Sequence, residues 1–175
     1  MRKILGIFVV SMIVLSCSQS KKNDVINRQK AIKQIESNLD SVRNVRLLLP
    51  DDIYPLTTAY WQYYEDFPED SLSPFYLYKA AELTIYMQQG IKAISYLKRI
   101  EQYYPDYSDL SSVLFLIGFT YDNDVRDYDS AKQYYSLFLE KYPDHQLAND
   151  TKILIQNLGK SPEELIREFE AKNAQ

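Results

Sequence analysis

The sequence predicts an all-α protein made of stacked helical hairpins. Three aromatic-proline-acid triplets recur, and their prolines, Pro68, Pro105 and Pro143, are 37 and 38 residues apart. Apolar or aromatic residues lead into each triplet at offsets 0, 4, 7 and 11, which is one face of an α-helix. No segment shows the two-residue alternation of a strand. The three ladders are Leu56, Tyr60, Tyr63 and Phe67; Ala93, Leu97, Ile100 and Tyr104; and Ala131, Tyr135, Phe138 and Tyr142.

The composition is that of a globular domain. The chain has 175 residues, of which 20 are basic, 24 are acidic and 46% are hydrophobic, so one domain with a core is expected. The acidic excess argues against a protein that binds a phosphate backbone. The single Cys excludes an intrachain disulfide and a cysteine-rich metal site. The four glycines are never clustered, which excludes a glycine-rich phosphate loop.

The first 16 residues are predicted to be a removable leader. Arg2 and Lys3 precede the apolar run Ile4–Leu15, which is the pattern of a signal peptide. The run is shorter than the roughly 20 apolar residues of a membrane-spanning helix. It stops at Ser16-Cys17, and this junction resembles the bacterial lipoprotein signal.

The lipoprotein resemblance implies cleavage before Cys17 and acylation of that residue. Two or three acyl chains would then hold the chain on a membrane. The polar stretch that follows, residues 17–24 with the lipidated Cys, would serve as a tether. No acid follows Cys17 directly, and by resemblance to bacterial sorting rules this implies an outer-membrane lipoprotein whose body faces the periplasm. An ordinary signal peptide followed by a free Cys is the alternative.

Residues 25–175 are predicted to form one helical body. Its first segment, Asp24–Leu49, repeats apolar residues at Ile32, Ile35, Leu39, Val42 and Leu49, and either completes the first repeat or forms a coiled-coil stem. The last helix carries Leu165, Ile166 and Phe169 on one face and is expected to cap the other end. The predicted helices are 24–47, 55–66, 74–88, 90–103, 109–122, 128–141, 146–158 and 162–172.

Capping signals support several of these boundaries. Ser73-Pro74 and Ser161-Pro162 are typical of an N-cap followed by Pro at the first helical position. Ser161 with Glu164 makes a capping box. Gly159 suits a helix C-terminus, and Asp127 suits the N-cap of the helix after it.

Small residues recur at matching positions of the units. Ala81 and Gly118 lie 37 residues apart on the first helices, and Ala93 and Ala131 lie on the second helices. With the three closing prolines, this pattern over residues 54–158 resembles the tetratricopeptide repeat family. The resemblance implies an α-solenoid of about three hairpins. Leu56 replaces the small residue in the first unit, so that repeat is degenerate.

The tetratricopeptide resemblance also implies a concave groove lined by the first helix of each repeat. Aromatic side chains anchor many protein interfaces, so such a groove would suit an apolar or aromatic peptide segment. Lys79 is the only cation near it, which argues against a basic clamp for carboxylates. Alternatively, these aromatics pack inside the superhelix. The groove residues would be Phe75, Tyr78, Glu82, Tyr86, Phe115 and Phe119.

No constellation in the sequence indicates catalysis or metal binding. The acidic stretch from Asp122 fails as a calcium loop, because its sixth and twelfth positions are Asp127 and Gln133 instead of Gly and Glu. His145 is the only His and cannot form a multi-histidine site. Neither a nucleophile elbow nor an opposed carboxylate pair is found. The prediction is a non-enzyme that needs no metal and no cofactor.

These features together predict a membrane-anchored protein-interaction scaffold of the bacterial cell envelope. The chain resembles the repeat lipoproteins of envelope assembly, the class of the barrel-assembly subunit and the Tol–Pal-associated division coordinator. That resemblance implies protein partners in the envelope, contact with lipid through the acylated N-terminus, and no nucleic acid. The alternative is a periplasmic module that binds a glycan or small ligand in the aromatic groove. A third hypothesis is an oligomeric stem through Asp24–Leu49.

Overall fold

The protein is all-helical, as predicted. The computed structural model describes the backbone of residues 2–173 and the side chains of residues 21–171. Within this part there is no β-strand. Its helices are α1 (Arg2–Arg43), α2 (Pro50–Asp66), α3 (Ser73–Tyr86), α4 (Gly90–Tyr103), α5 (Leu110–Thr120), α6 (Tyr128–Lys141), α7 (Ala148–Asn157) and α8 (Pro162–Asn173), with a π-helical turn at Tyr121–Val125.

Two compact units make up the chain, Met1–Asp70 and Ser71–Gln175. The backbone of residues 2–16 belongs to α1, but the side chain of Cys17 lies outside the described residues. The signal peptide and the acylation of Cys17 therefore stay predictions. Across the residues that the structure does describe, none of the helices combines the length and the hydropathy needed to cross a bilayer.

The first unit is an antiparallel hairpin of α1 and α2. Near one end of the pair, Gln29 Nε2 donates to the Tyr63 hydroxyl (3.0 Å). Further along α1, the Tyr60 hydroxyl donates to Glu36 Oε1 (2.7 Å). Residue numbers rise along α1 as they fall along α2, so the two helices run in opposite directions. Ile32, between these bonds, is fully buried, which is the helix-pairing role expected for this face.

The turn between α1 and α2 differs from the prediction. Helix α1 ends at Arg43 instead of residue 47, and α2 begins at Pro50 instead of residue 55. The earlier start is held by a reciprocal cap, because Leu49 N–H donates to Asp52 Oδ2 (2.8 Å) and Asp52 N–H donates to Leu49 O (3.0 Å). Both bonds satisfy N–H groups that a helix N-terminus leaves without partners. Pro55 consequently lies inside α2.

The three aromatic-Pro-acid triplets share one backbone geometry. The residues before the prolines, Phe67, Tyr104 and Tyr142, have φ/ψ of −135/57°, −131/60° and −134/58°. Each donates its N–H to the carbonyl four residues earlier (2.9, 2.9 and 2.8 Å). Each also accepts from the N–H three residues later (3.0, 3.0 and 3.2 Å). Proline disfavours helix at the residue before it, so the sequence repeat is also a repeat of local structure, and the predicted helix ends are confirmed.

In the second unit, each helix from α3 to α6 packs on the helix that follows it. The first three residues of every predicted ladder are buried; in α4 and α6, for example, Ala93, Leu97, Ala131 and Tyr135 have no exposed surface. Gly118 permits a close approach between α5 and α6, because a Cβ there would lie 2.8 Å from Tyr135 Cδ1. A side chain at position 118 would therefore meet the Tyr135 ring.

A π-helical turn at Tyr121–Val125 separates α5 from α6. It ends in Arg126, whose φ of 60° is left-handed. The next helix starts as predicted, with Asp127 at the N-cap accepting from the N–H of Ser130 (3.1 Å). Side-chain and backbone hydrogen bonds from Ser130 hold the pKa of Asp127 below its usual value.

Two further predicted capping signals in the second unit are confirmed and one is wrong. Gly159 follows α7 with φ of 72°, and Ser161 and Glu164 exchange hydrogen bonds (2.8 and 3.2 Å). Ser73 is not an N-cap; it is the first residue of α3, preceded by Leu72, and it is fully buried. Extending the helix by one residue lets Pro74 occupy a first-turn position, where its missing N–H costs nothing.

The predicted cap at the C-terminus is formed only in part. Helix α8 is present, but Ile166 and Phe169 are 57% and 68% exposed. Leu165 is partly covered. The apolar face of α8 therefore does not close the core of its unit, because it makes little contact with the preceding helices.

Candidate functional site

Helix α3 displays an aromatic stripe on its surface. Phe75, Tyr78, Glu82 and Tyr86 follow one another at intervals of three, four and four residues, which keeps them on one helix face. Phe75 is 38% and Tyr86 58% exposed, while Tyr78 and Glu82 are half-buried. We call this set the α3 aromatic surface. The six predicted groove residues include these four.

Charge on the α3 aromatic surface is compensated internally. Lys79 and Glu82 are the only ionisable Lys, Arg, Asp or Glu residues of α3, and Lys79 Nζ lies 2.7 Å from Glu82 Oε2. The same ammonium lies 5.9 Å from the centroid of the Phe75 ring, within the range of a cation–π contact. A ligand would therefore meet an aromatic surface with little net charge.

Tyr78 is the polar group at the centre of the α3 aromatic surface. Burial raises its pKa to about 12, with further contributions from the nearby Glu82 and Asp109 carboxylates and from Tyr107. Tyr107 responds to the same carboxylates, and its own pKa is raised chiefly by burial. The Tyr78 hydroxyl therefore stays protonated at every physiological pH and can donate or accept a hydrogen bond. Asp109 and Tyr107 directly precede α5, so this surface borders the start of that helix.

Phe115 and Phe119 of α5 belong to a ring cluster with α6. Their own rings are stacked with centroids 6.1 Å apart. Phe115 also lies 5.9 Å from the Tyr135 ring and 5.7 Å from the Phe138 ring. Such spacings are typical of stabilising aromatic pairs. Phe115 therefore contributes to helix packing as well as to the partly exposed surface of α5.

One polar cluster was not anticipated from the sequence. Lys98 Nζ lies 5.3 and 5.4 Å from the ring centroids of Tyr121 and Tyr134 and donates to the Tyr121 hydroxyl (3.0 Å). The Tyr134 hydroxyl donates to Glu101 Oε2 (3.1 Å). Burial, and next the Glu101 carboxylate, raise the pKa of Tyr134 to about 12. The cluster joins α4 to α6 and the π-turn.

The described residues contain no cluster of side chains that could hold a metal ion. Across residues 21–171, no three His, Cys, Asp or Glu side chains come close enough together to hold an ion. His145 lies in a turn with its ring edge against Phe138, the centroids 5.2 Å apart, and its Nδ1 accepts from Leu147 N–H (3.2 Å). The chemistry available at the α3 aromatic surface is that of binding: apolar contact, ring stacking and one hydroxyl.

Comparisons with known proteins do not assign the chain to a family. No protein-family model matches it, and no curated protein matches it significantly.

Proposed function

We propose that this chain is a membrane-anchored, non-catalytic protein-interaction module of the bacterial cell envelope. The observation that carries the proposal is the α3 aromatic surface, which exposes Phe75 and Tyr86 on a helix whose charges neutralise each other. A contiguous apolar patch exposed on a folded protein often marks a binding site. We further propose that the body is a tetratricopeptide-like array, because the three proline turns repeat one backbone geometry.

The chemistry of the surface defines the partner. Covering an exposed aromatic ring contributes about 1.5–3 kcal/mol when the burial is complete, and aromatic residues dominate the energetics of many interfaces. The Tyr78 hydroxyl supplies a hydrogen bond that fixes orientation. Because Lys79 is already paired with Glu82, a strongly charged peptide would gain little. The fitting partner is an apolar or aromatic segment of another envelope protein.

The membrane anchor is the second part of the proposal. Acylation at Cys17, with sorting to the outer membrane and the body in the periplasm, would confine the chain and its partner to one surface. Such confinement gives effective concentrations on the order of mM, so weak contacts suffice. We expect Cys17→Ser to leave the protein unprocessed or released from the membrane fraction. Normal processing with unchanged membrane retention would contradict the anchor.

A binding assay separates the proposal from its alternative, a glycan- or small-ligand-binding module. Purified full-length chain is titrated with aromatic-rich peptides from envelope proteins and, separately, with cell-wall glycan fragments. We expect peptide binding that Tyr86→Ala weakens and that the exposed-site control Ser136→Ala leaves unchanged. Saturable glycan binding that is lost in Tyr78→Ala or Tyr86→Ala, without peptide binding, would favour the alternative.

A further inference from the structure

Basic residues are concentrated at one end of the chain. Residues 21–46 contain seven Lys or Arg and three Asp or Glu, whereas residues 47–175 contain 11 basic and 21 acidic residues. Helix α1 and its following turn are therefore positively charged in a protein whose net charge is −4. Charge asymmetry of this kind is typical of chains that meet an anionic surface with one part only.

The positive charge has a defined face on α1. Every fourth or third residue from Lys22 onward is exposed, which makes one stripe along the helix. We call it the outer stripe. It contains three lysines, which form no ion pair within the described residues. The exposed Asp40 borders the stripe and is paired with Arg43 at 2.9 Å. The face that includes the buried Ile32 is turned toward α2. The outer stripe consists of Lys22, Ile26, Lys30, Lys33, Ser37, Ser41 and Asn44.

The turn at the end of α1 presents three aliphatic side chains to solvent. Val45 and Leu47 are each 86% exposed and Leu49 is 58% exposed. We call these three residues the apolar tip. Arg46 bridges the same turn, because its two terminal nitrogens each lie 2.7 Å from an oxygen of Asp52. We call this ion pair the brace.

The brace has two consequences for the apolar tip. A bidentate Arg–carboxylate pair fixes geometry, so the side chains are held outward before any ligand arrives. Asp52 also compensates the charge of Arg46. The hydrogen bonds between the two side chains are the main reason that the pKa of Arg46 is raised and the pKa of Asp52 is lowered. The tip is thus an ordered apolar projection without an unpaired charge.

We propose that the outer stripe and the apolar tip together form a face that binds an anionic phospholipid bilayer. A bilayer offers a layer of negative headgroups with hydrocarbon directly beneath, which matches lysines along a helix and aliphatic groups at its end. The acidic remainder of the chain is repelled by the same surface. The lipid face does not require the proposed anchor, which would add to it by bringing the start of α1 to the membrane.

The anchor alone would not bring the tip into the bilayer. Residues 17 and 43 are 26 residues apart in one helix, which is about 39 Å along its axis. Insertion of the tip therefore requires α1 to lie along the membrane instead of standing away from it. The position of the tip relative to lipid is the measurable consequence.

The test places a single environment-sensitive dye on the tip. Cys17 is the only Cys, so the full chain with Cys17→Ser and Leu47→Cys accepts one nitrobenzoxadiazole label. The chain is mixed with vesicles of phosphatidylcholine containing about one-third phosphatidylglycerol, with pure phosphatidylcholine vesicles as comparison. We expect emission to rise severalfold on the anionic vesicles and to be quenched by brominated acyl chains. The same label at Gln62→Cys should stay in water, because it is an exposed site of α2, which packs on the Ile32 face of α1 and not on the outer stripe.

Charge variants test the role of the outer stripe. Replacing Lys22, Lys30 and Lys33 by Gln should lower the equilibrium constant for tip insertion into anionic vesicles on the order of 100-fold. Each lysine near such a surface raises that constant about fivefold, and three lysines multiply the effect. A control with the same loss of charge replaces the exposed lysines 132, 141 and 152 of the second unit and should insert normally.

Three results would overturn the proposal. A chain that sediments with anionic vesicles while the label at position 47 stays in water would refute tip insertion and leave the anchor and the α3 binding surface standing. A chain that fails to sediment with anionic vesicles would refute the lipid face directly. An emission change that rises with protein concentration in the absence of vesicles would assign the tip to contacts between copies of the chain.

Discussion

Gly118→Ala tests the close approach between α5 and α6. The new Cβ would lie 2.8 Å from Cδ1 and 3.0 Å from Cε1 of Tyr135, about 0.7 Å inside the shortest favourable carbon–carbon separation of about 3.5 Å. Tyr135 is fully buried and its ring is in contact with Phe115, so it has no free direction in which to move. Overpacking of this kind costs about 1–3 kcal/mol, whereas Ala in place of Gly contributes about 1 kcal/mol of helix propensity. We expect a net loss of about 1 kcal/mol in the free energy of unfolding.

The assay is urea denaturation followed by far-ultraviolet circular dichroism, because a stability change moves the midpoint without changing the slope. Ser136→Ala, at an exposed position of α6, is the control for propensity and should raise the midpoint slightly. In a Tyr135→Val background, which removes Cδ1 and Cε1, Gly118→Ala should become stabilising. The two backgrounds should differ by about 1–3 kcal/mol. A stabilising effect of the same size in both would refute the close approach.

Three further predictions concern packing, capping and alkaline stability. Ala131→Trp, at a position with no exposed surface, should cost about 1–3 kcal/mol or more by overpacking; a neutral denaturation midpoint would show that Ala131 does not face a neighbouring helix. Asp127→Ala should lower the denaturation midpoint at neutral pH, and Asp127→Asn should not, since Asn also caps. The pKa of Asp127 is lowered in the folded state, so the stabilisation is present above its ordinary pKa and is lost as pH falls through the folded value; an acid profile identical in Asp127→Asn and the parent would contradict this. Tyr78 and Tyr134 have folded pKa values of about 12, against an ordinary value of 10.0. The stability that this pKa difference contributes is present below pH 10.0 and lost as pH rises toward about 12. The double variant Tyr78→Phe, Tyr134→Phe should therefore lose less stability than the parent between pH 10.0 and about 12. An equal loss in both would contradict the raised pKa values.

Local signals in the sequence were sufficient for most of the helical framework. The residue before a proline avoids helical geometry, so the helix ends at Phe67, Tyr104 and Tyr142 could be predicted from three residues each. The 3.6-residue period identified the buried faces of α4 and α6, because burial follows helix geometry once the helices pack. Gly159 and Asp127 also act through their nearest neighbours, and both predictions are confirmed.

Features that depend on contacts distant in the sequence could not be predicted. Lys98 meets Tyr121 and Tyr134 across 23 and 36 residues, and no local pattern indicates their proximity. The early start of α2 has a different cause: Leu49 and Asp52 form the cap through backbone N–H groups, and Leu is not a residue type that signals an N-cap. The exposure of Phe169 on α8 could not be predicted either. An apolar helix face in the sequence does not show whether another helix covers it.

The sequence indicated which residues could form the candidate site, but it did not indicate the contacts that those residues make. The tetratricopeptide resemblance implied that Phe75, Tyr78 and Tyr86 share one face of α3, and their spacing agrees with that. It could not reveal that Lys79 neutralises Glu82, since a lysine on that helix could equally have pointed to solvent. The sequence also could not show whether Phe115 packs or binds, because its ring contacts are with residues of the following helix.

We propose that the α3 aromatic surface binds a protein partner at the membrane. The most direct test replaces Tyr86 in the full chain with a photo-crosslinking amino acid and irradiates living cells, with Gln133 on the exposed side of α6 as the matched control position. We expect one discrete crosslinked adduct with an envelope protein from position 86, none from position 133, and loss of the adduct when Phe75 is changed to Ser. Equal crosslinking from both positions, or none from position 86 in a chain that is correctly localised, would contradict it.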